Sequence, residues 1–524
     1  MTKKIGSWSA TAYLFWMFFV YPLYINGGYD NMGEVKNRFF LISTMVGIGV
    51  MFLCYLADFL DKLKMTCAEK KACMEKGGLR MNWESVSFFD LAVLLYAVSV
   101  FISYAFSWDK NEALWGTDGW YMGFLPILFL CVACFLISRL WDGKKIVLWG
   151  ILIASSVVFL LGICNRFSFY PIEIEYAQPN FISTLGNINW FCGYLSVIAP
   201  IGIGLLVFTE QKKAPGILLG IYTFLAFATG FCQGSNSVFL WFGALFVVLL
   251  FLSAGDKRRM ERSLFTIGLW GLAAQTVRLM RFLPVGEYNH ETDGLCGYFT
   301  ASFVSLWIAI AAFLALLILR FWNLQEEKDE KDTGTKSGTR LFRRLLIGAV
   351  IFVPVCWLLV ALVHTFAGIG FLEGYSIFKL NKYWGNGRGI TLYTGALAFA
   401  ELPFIHKIIG AGPDCFSLFI YETEGISQMV SEYFGSVRLT NSHNEILTAL
   451  VNIGLLGVGS YLAVLFLSVK RCSRFNKGGI GYIPVLCVIC YLAHNMVSFA
   501  QVLNFPFLFL ILGMGEALCR SQKN

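Results

Sequence analysis

Two short polar motifs carry the side chains best suited to chemistry in this chain. The first is Asn386-Gly387-Arg388-Gly389. A guanidinium presents paired donors that match a phosphate, and flanking glycines let the backbone approach a bulky ligand. If a helix starts just after Arg388, its exposed amides add to the same anion site. Local sequence fits a solvated loop arginine equally well. The second motif is Asn441-Ser442-His443-Asn444-Glu445, where polar chain meets an apolar segment. Near neutral pH an imidazole can take a proton from a hydroxyl or hold that hydroxyl in place. The plainer reading has Asn441 or Ser442 capping the helix and His443 filling its first turn, and the two are compatible.

Other candidates are weaker. Gly186-Asn187-Ile188-Asn189-Trp190 heads one apolar segment, Gly234-Ser235-Asn236-Ser237 makes a tight turn, and Arg278 and Arg281 lie near the end of another segment. Arginines at such depths line polar cavities or snorkel to the interface, and Arg278, about one turn deeper, favours the cavity. His494-Asn495 ends a segment with no loop to supply substrate contacts, so interhelical hydrogen bonding is expected there, and His364 reads the same way. The chain has 15 cysteines. Cys131 with Cys134, and Cys487 with Cys490, match C-x-x-C inside apolar runs without a nearby His or second pair; small packing residues are the expected role.

The elements that must position these residues follow from composition. Of 524 residues, 57% are hydrophobic and 14% charged. Apolar runs of about 20 residues recur from end to end, as bilayer-spanning helices require. The expected fold class is an all-α polytopic membrane protein. Spans are expected at 8–26, 37–59, 88–107, 119–138, 144–164, 184–208, 216–231, 237–253, 264–283, 298–320, 345–369, 443–470, 479–498 and 502–519, about fourteen helices. The net charge of +8 comes from basic residues dispersed through short connections, which argues against nucleic acid.

If the Lys3/Lys4 end is cytoplasmic, the basic clusters fall on that side: Lys62 to Arg80, Arg139 to Lys145, Lys212/Lys213, Lys257 to Arg262, Arg320 to Arg344, Lys470 to Lys477 and Arg520/Lys523. This is the positive-inside pattern. Both termini are then cytoplasmic, and a large loop at 370–442 faces outward between eleven spans in 1–369 and three in 443–524. No A-x-A cleavage site follows the first segment, which reads as a retained anchor. The run Gln325 to Asp332 reads as a solvated linker. Within the outward loop, Gly389 to Phe399 is expected to form a short interfacial helix with Arg388 at its amino end, followed by a turn at Gly410-Ala411-Gly412-Pro413.

In order along the chain, several motifs resemble those of the O-antigen ligase and O-antigen polymerase superfamily of bacterial envelope enzymes. They are Leu114-Trp115-Gly116 with Gly119 to Phe124, Leu185-Gly186-Asn187-Ile188-Asn189-Trp190 with Pro200, Gly387-Arg388 leading to Pro403 and Gly410-Ala411-Gly412-Pro413, and Ser442-His443-Asn444-Glu445-Ile446-Leu447 leading to Gly454-Leu455-Leu456-Gly457. The resemblance covers roughly residues 110–519. It implies a GT-C-like glycosyltransferase, without cofactor or metal, that moves a glycan from undecaprenyl diphosphate to an acceptor hydroxyl at the outer face of the bacterial cytoplasmic membrane. Arg388 then matches the arginine that binds the diphosphate, and His443 the histidine that activates or positions the acceptor. Arg278, Arg281, Asn236, Asn187, Asn189, Asn444 and Gly412 are the expected further contacts to diphosphate or glycan. One departure is visible: the family commonly has Ser-Arg-Gly where this chain has Ser235-Asn236-Ser237. Either Arg278 or Arg281 supplies that charge, or the donor is held differently.

A diphosphate is already a good leaving group, so such an enzyme needs positive charge, orientation and a base. The absence of an obvious carboxylate nucleophile favours direct displacement with inversion; Asp414, Glu401 and Glu445 are candidates for support. The acceptor, whether glycan, lipid or protein, is not legible. The competing expectation is a lipid-linked glycan flippase or other secondary transporter, which predicts repeated halves and broken helices.

Overall fold

The computed structural model describes residues 2–64, 86–283, 286–290, 294–326, 335–373, 378–475 and 478–521. Most of the Lys62 to Arg80 cluster and of the Gln325 to Asp332 run lies outside them. Helix α1, Thr2–Phe15, runs through a π-helical turn, Trp16–Val20, into Tyr21–Leu23. There follow α2 (Met32–Lys64), α3 (Phe88–Ala105), α4 (Phe124–Leu140), α5 (Lys145–Arg166) and α6 (Ile188–Phe208). Next come α7 (Lys213–Cys232), α8 (Val238–Ser253), α9 (Lys257–Met280), α10 (Val304–Glu326) and α11 (Thr335–Ala367). Helix α12 (Trp384–Glu401) and short helices at Phe404–Ile409, Phe416–Glu422 and Glu424–Phe434 fill the region before α13 (Glu445–Arg474), α14 (Tyr482–His494) and α15 (Phe505–Ser521). The strands described, Phe181–Ile182 and Gly186–Asn187, form one antiparallel pair.

Eight of the described helices are long and apolar enough to cross a membrane; α4, α8 and α14 are apolar but shorter. The chain is therefore an all-α protein built for lipid. Two helices with similar composition have opposite fates. The apolar stretch of α6 is entirely buried, packed by α7, α8, α9, α14 and α15, whereas only 6% of that of α11 is buried. A helix apolar on every face is stable inside a bundle or against hydrocarbon, and α6 and α11 occupy these two environments.

Helix α13 is broken. Gly454 takes φ 64 and ψ −174, dividing Glu445–Ile453 from the rest. The break frees carbonyls, and the turn at Gly410–Pro413 takes them up. Ala411 N donates to Val451 O at 2.8 Å, Gly412 N to Asn452 O at 2.9 Å, and Ser103 Oγ also to Asn452 O at 2.8 Å. Glycine is required on both sides, because a Cβ at Gly454 would lie 2.4 Å from Ile408 O and one at Gly410 2.2 Å from Asn452 O.

The two ends of the bundle differ in chemistry. Helices α4, α13 and α15 begin, and α3 ends, beside the 384–444 region: Trp108 N donates to Ala411 O, Glu445 N to Asn495 O, and Val502 N to Trp120 O. The opposite ends of the same four helices hold a network of charges. Arg139 grips Asp90 with two bonds of 3.0 Å, Arg520 also reaches Asp90, and Arg471 grips Glu516 at 2.7 and 2.9 Å.

Candidate functional site

Helix α12 starts at Trp384, earlier than the expected Gly389, but Gly385 and Gly387, at φ 60 and 86, are left-handed and make its first turn irregular. Gly389 serves packing rather than ligand approach: a Cβ there would stand 2.0 Å from Asn381 O. Two turns on, a Cβ at Gly395 would meet Ser442 Cβ at 2.6 Å. Residues seven apart share a helix face. The face that carries Arg388 thus lies against the His443 loop.

Arg388 Nε donates to Val497 O at 3.1 Å and Nη1 to Gly385 O at 3.3 Å. Burial lowers its pKa from the usual arginine value. His443 is not in the first turn of α13. It has φ 51, its N–H donates to Asn441 Oδ1 at 2.9 Å, and Asn444 is the N-cap, accepting from Leu447 N at 2.9 Å. This corrects the expectation of capping by Asn441 or Ser442. Ser442 instead braces the loop: its Oγ donates to Asn444 O at 2.9 Å and meets Thr448 Oγ1 at 2.8 Å. The His443 ring stands edge-on to Phe499, and its Nδ1 is buried without a hydrogen-bond partner. Burial first, and then the Arg388 charge, push its pKa down to about 4. At neutral pH the imidazole is uncharged and has an unused nitrogen. Arg388 and His443 therefore converge on one segment, the irregular connection between α14 and α15.

Behind His443 lies a cavity of about 60 Å³ whose walls include Asp414, Asn441, Glu445, Trp120, Phe499 and Tyr461. That is space for a few waters, not for a sugar ring. Asp414 accepts from Thr117 N at 2.8 Å and Met122 N at 3.1 Å, yet burial pushes its carboxyl up to about 6. Glu445 accepts from Tyr461 Oη at 2.6 Å and from Asn495 Nδ2. Trp120 donates to Thr440 Oγ1 at 2.8 Å and packs edge-on against Trp190 and Phe499.

The remaining expected residues have structural partners. Asn444 Nδ2 donates to Met496 O at 3.0 Å, and Gly412 is occupied by the α13 break. Asn187 caps α6 by accepting from Asn189 N at 2.9 Å, while Asn189 Oδ1 accepts from Ser235 Oγ at 2.6 Å. Asn236 Oδ1 accepts from Leu295 N at 2.8 Å, at the start of a short helix, Gly294–Ala301. Arg278 stacks on Phe303 at 3.8 Å, and Arg281 stacks on Tyr288 at 3.9 Å and donates to its hydroxyl. The aromatic partners of both come from the chain between α9 and α10.

Three features escape sequence reasoning. Arg166, 2% exposed at the end of α5, donates to the carbonyls of Cys232, Gln233 and Asn289, so a buried guanidinium does brace the turn that lacks the expected arginine. Of the pair expected to hydrogen-bond between helices, Asn495 does so, its Nδ2 donating to Glu445, whereas neither ring nitrogen of His494 has a partner. His364 bonds locally instead, its Nδ1 accepting from Ile369 N at 3.0 Å. Among the described residues no three His, Cys, Asp or Glu side chains gather closely enough to hold a metal ion. No protein-family model matches this chain, and no curated protein matches it either.

Proposed function

We propose that this chain is a membrane glycosyltransferase of the O-antigen ligase or polymerase type. In this reading it crosses the bacterial cytoplasmic membrane about fourteen times in a GT-C-like arrangement, with both termini in the cytoplasm and the 370–442 loop outside. It moves a glycan from undecaprenyl diphosphate to an acceptor hydroxyl on a glycan, lipid or protein. The observation that carries the reading is the convergence of a half-buried arginine and an uncharged histidine on one polar segment, at the head of a broken helix in a chain built for lipid.

Arg388 takes the donor diphosphate, and the His443 nitrogen without a partner accepts a hydrogen bond from the acceptor hydroxyl. The acceptor oxygen bonds to the anomeric carbon as the bond from that carbon to the diphosphate oxygen breaks. The hydroxyl proton passes to His443, and the diphosphate leaves with its negative charge held by Arg388. An incoming diphosphate offsets the Arg388 charge that helps hold His443 down, so the imidazole becomes more basic when the donor is bound. Attack from the face opposite the leaving group inverts the anomeric centre.

The test uses the full chain in lipid nanodiscs, an undecaprenyl diphosphate-linked glycan and a candidate acceptor. Glycosidic product should form and should be lost in Arg388→Ala and in His443→Ala; wild-type turnover in both variants ends the site assignment. The broken helix at Gly454 also suits a transporter of lipid-linked glycan. That second reading is weakened because the freed carbonyls of Val451 and Asn452 are already bonded by the Gly410–Pro413 turn. Movement of the lipid-linked glycan across vesicles without bond formation would establish it.

A further inference from the structure

The connection between α14 and α15 carries polar side chains that the chemistry above leaves unused. His494, Gln501 and Asn504 are each 0% exposed. Neither ring nitrogen of His494 has a hydrogen-bond partner, nor does either end of the Gln501 amide, nor Asn504 Nδ2. A buried polar group without a partner is costly, and three such residues within 494–504 call for an occupant. Two of them share a wall. A Cβ placed on Gly193 of α6 would stand 2.5 Å from Asn504 Nδ2 and 3.3 Å from His494 Nε2. The amide and the imidazole therefore meet at one glycine.

The chemistry of these groups selects the occupant. They are two carboxamides and an imidazole, able to donate and accept, and they bring no carboxylate or ammonium. Such a set suits the hydroxyl and amide groups of a sugar better than an ion. Position narrows it further. Val497 N donates to His494 O at 3.2 Å, and Val497 O accepts from Arg388 Nε at 3.1 Å. The group assigned to the diphosphate is thus joined through Val497 to the main chain of His494. The sugar bonded directly to that diphosphate is the part of the substrate closest to His494.

We infer that His494 and Asn504, which meet at Gly193, together with Gln501, whose N–H donates to Asn504 Oδ1 at 3.1 Å, form the subsite for the first sugar of the lipid-linked donor and bind its polar substituents. The inference rests on the transferase reading. The subsite is closed to solvent here, and its cover is the turn 495–500, held by Arg388 through Val497 O and by Asn444 through Met496 O. A diphosphate that draws Arg388 away loosens that cover.

The experiment compares two probes, undecaprenyl diphosphate and the same lipid carrying one N-acetylglucosamine, titrated against the full chain in nanodiscs. Wild type should bind the sugar-bearing lipid at least tenfold more tightly. Gln501→Leu and Asn504→Leu should abolish that preference while leaving Kd for the sugar-free lipid within twofold. Gly193→Ala should do the same without removing a polar group, because its Cβ would press on Asn504 Nδ2 and His494 Nε2, and melting curves within a few degrees of wild type for all three variants exclude poor folding as the cause. Arg388→Ala should weaken both lipids. Equal loss on both probes, or no loss, in the Gln501, Asn504 and Gly193 variants overturns the subsite and leaves these groups to the fold. Wild-type protein that binds neither probe overturns the transferase reading, and this inference with it.

Discussion

The two ends of the bundle handle buried polarity in opposite ways. At one end, Asp90, Arg139, Arg471, Glu516 and Arg520 form a network in which every carboxylate meets at least one guanidinium, and Ser87 closes a capping box with Asp90. At the other, His443, His494, Gln501 and Asn504 keep buried nitrogen or oxygen atoms without partners. Breaking a buried pair is costly because the surviving charge is stranded, so the first end is specialised for holding α3, α4, α13 and α15 together. Groups without partners instead weaken the fold by roughly 1–3 kcal/mol each. A fold keeps them where they serve something other than itself, and the second end is where Arg388 and His443 converge.

The contrast can be broken by swapping effects between the ends. The largest expected effect is on turnover at the polar segment. Arg388→Ala and His443→Ala should each lower the transfer rate by about 10²–10⁴-fold, as loss of a positioned cation or base does, with melting temperature nearly unchanged. Asp90→Ala should do the reverse. It strands Arg139 and Arg520 and should cost about 3–5 kcal/mol in denaturant unfolding, while the folded fraction turns over normally. A large loss of stability in the Arg388 variant, or of specific activity in the Asp90 variant, would erase the distinction.

Asp414 tests the comparison through pH. Its folded pKa is pushed up to about 6 from the ordinary 3.8, chiefly by burial. Between about pH 4 and 6 the folded chain therefore holds a proton that the unfolded chain has released, so stability falls as pH rises through that window and is level above it. The total change is at most roughly 3 kcal/mol. Asp414→Asn keeps an oxygen for Thr117 N and Met122 N and should flatten the profile between pH 4 and 6 in thermal melts. An unchanged profile would mean that Asp414 is not the group that titrates there.

Much of the fold is legible in the sequence because the period and length of apolar runs survive without tertiary knowledge. The helices around Ile188 and Val350 could be placed that way, but their burial could not, because α6 and α11 are apolar on every face and sequence carries no signal for which face meets protein. The site was legible only where a charged or titratable type stood out, as at Arg388 and His443. Asn441 and Ser442 read as the caps, and the left-handed turn at His443 hands that role to Asn444 instead. Gln501 falls between the expected spans 479–498 and 502–519 and Asn504 inside the second, and a lone carboxamide at a span end carries no sequence signal; the packing of α6 against Asn504 is what sets it inside the protein. Arg166 reads as a basic residue at a helix end, and only the turn folded against it reveals its role.

Asn236 gives the smallest and most discriminating test. Sequence reasoning placed it in the substrate site, where the resembling family has an arginine, but its Oδ1 accepts from Leu295 N at the start of the Gly294–Ala301 helix. Asn236→Ala should remove that cap and cost about 1 kcal/mol in stability, the usual scale for a lost side-chain cap. Asn236→Asp keeps the accepting oxygen, and its charge suits a helix amino end, so it should restore that stability. If Asn236 serves only the fold, KM for the lipid-linked donor stays within twofold in both variants. If it touches the diphosphate, the added negative charge of Asn236→Asp raises KM while stability holds. Steady-state kinetics beside melting curves for the two variants therefore decide whether the turn at 234–237 belongs with the paired end of the molecule or with its polar segment.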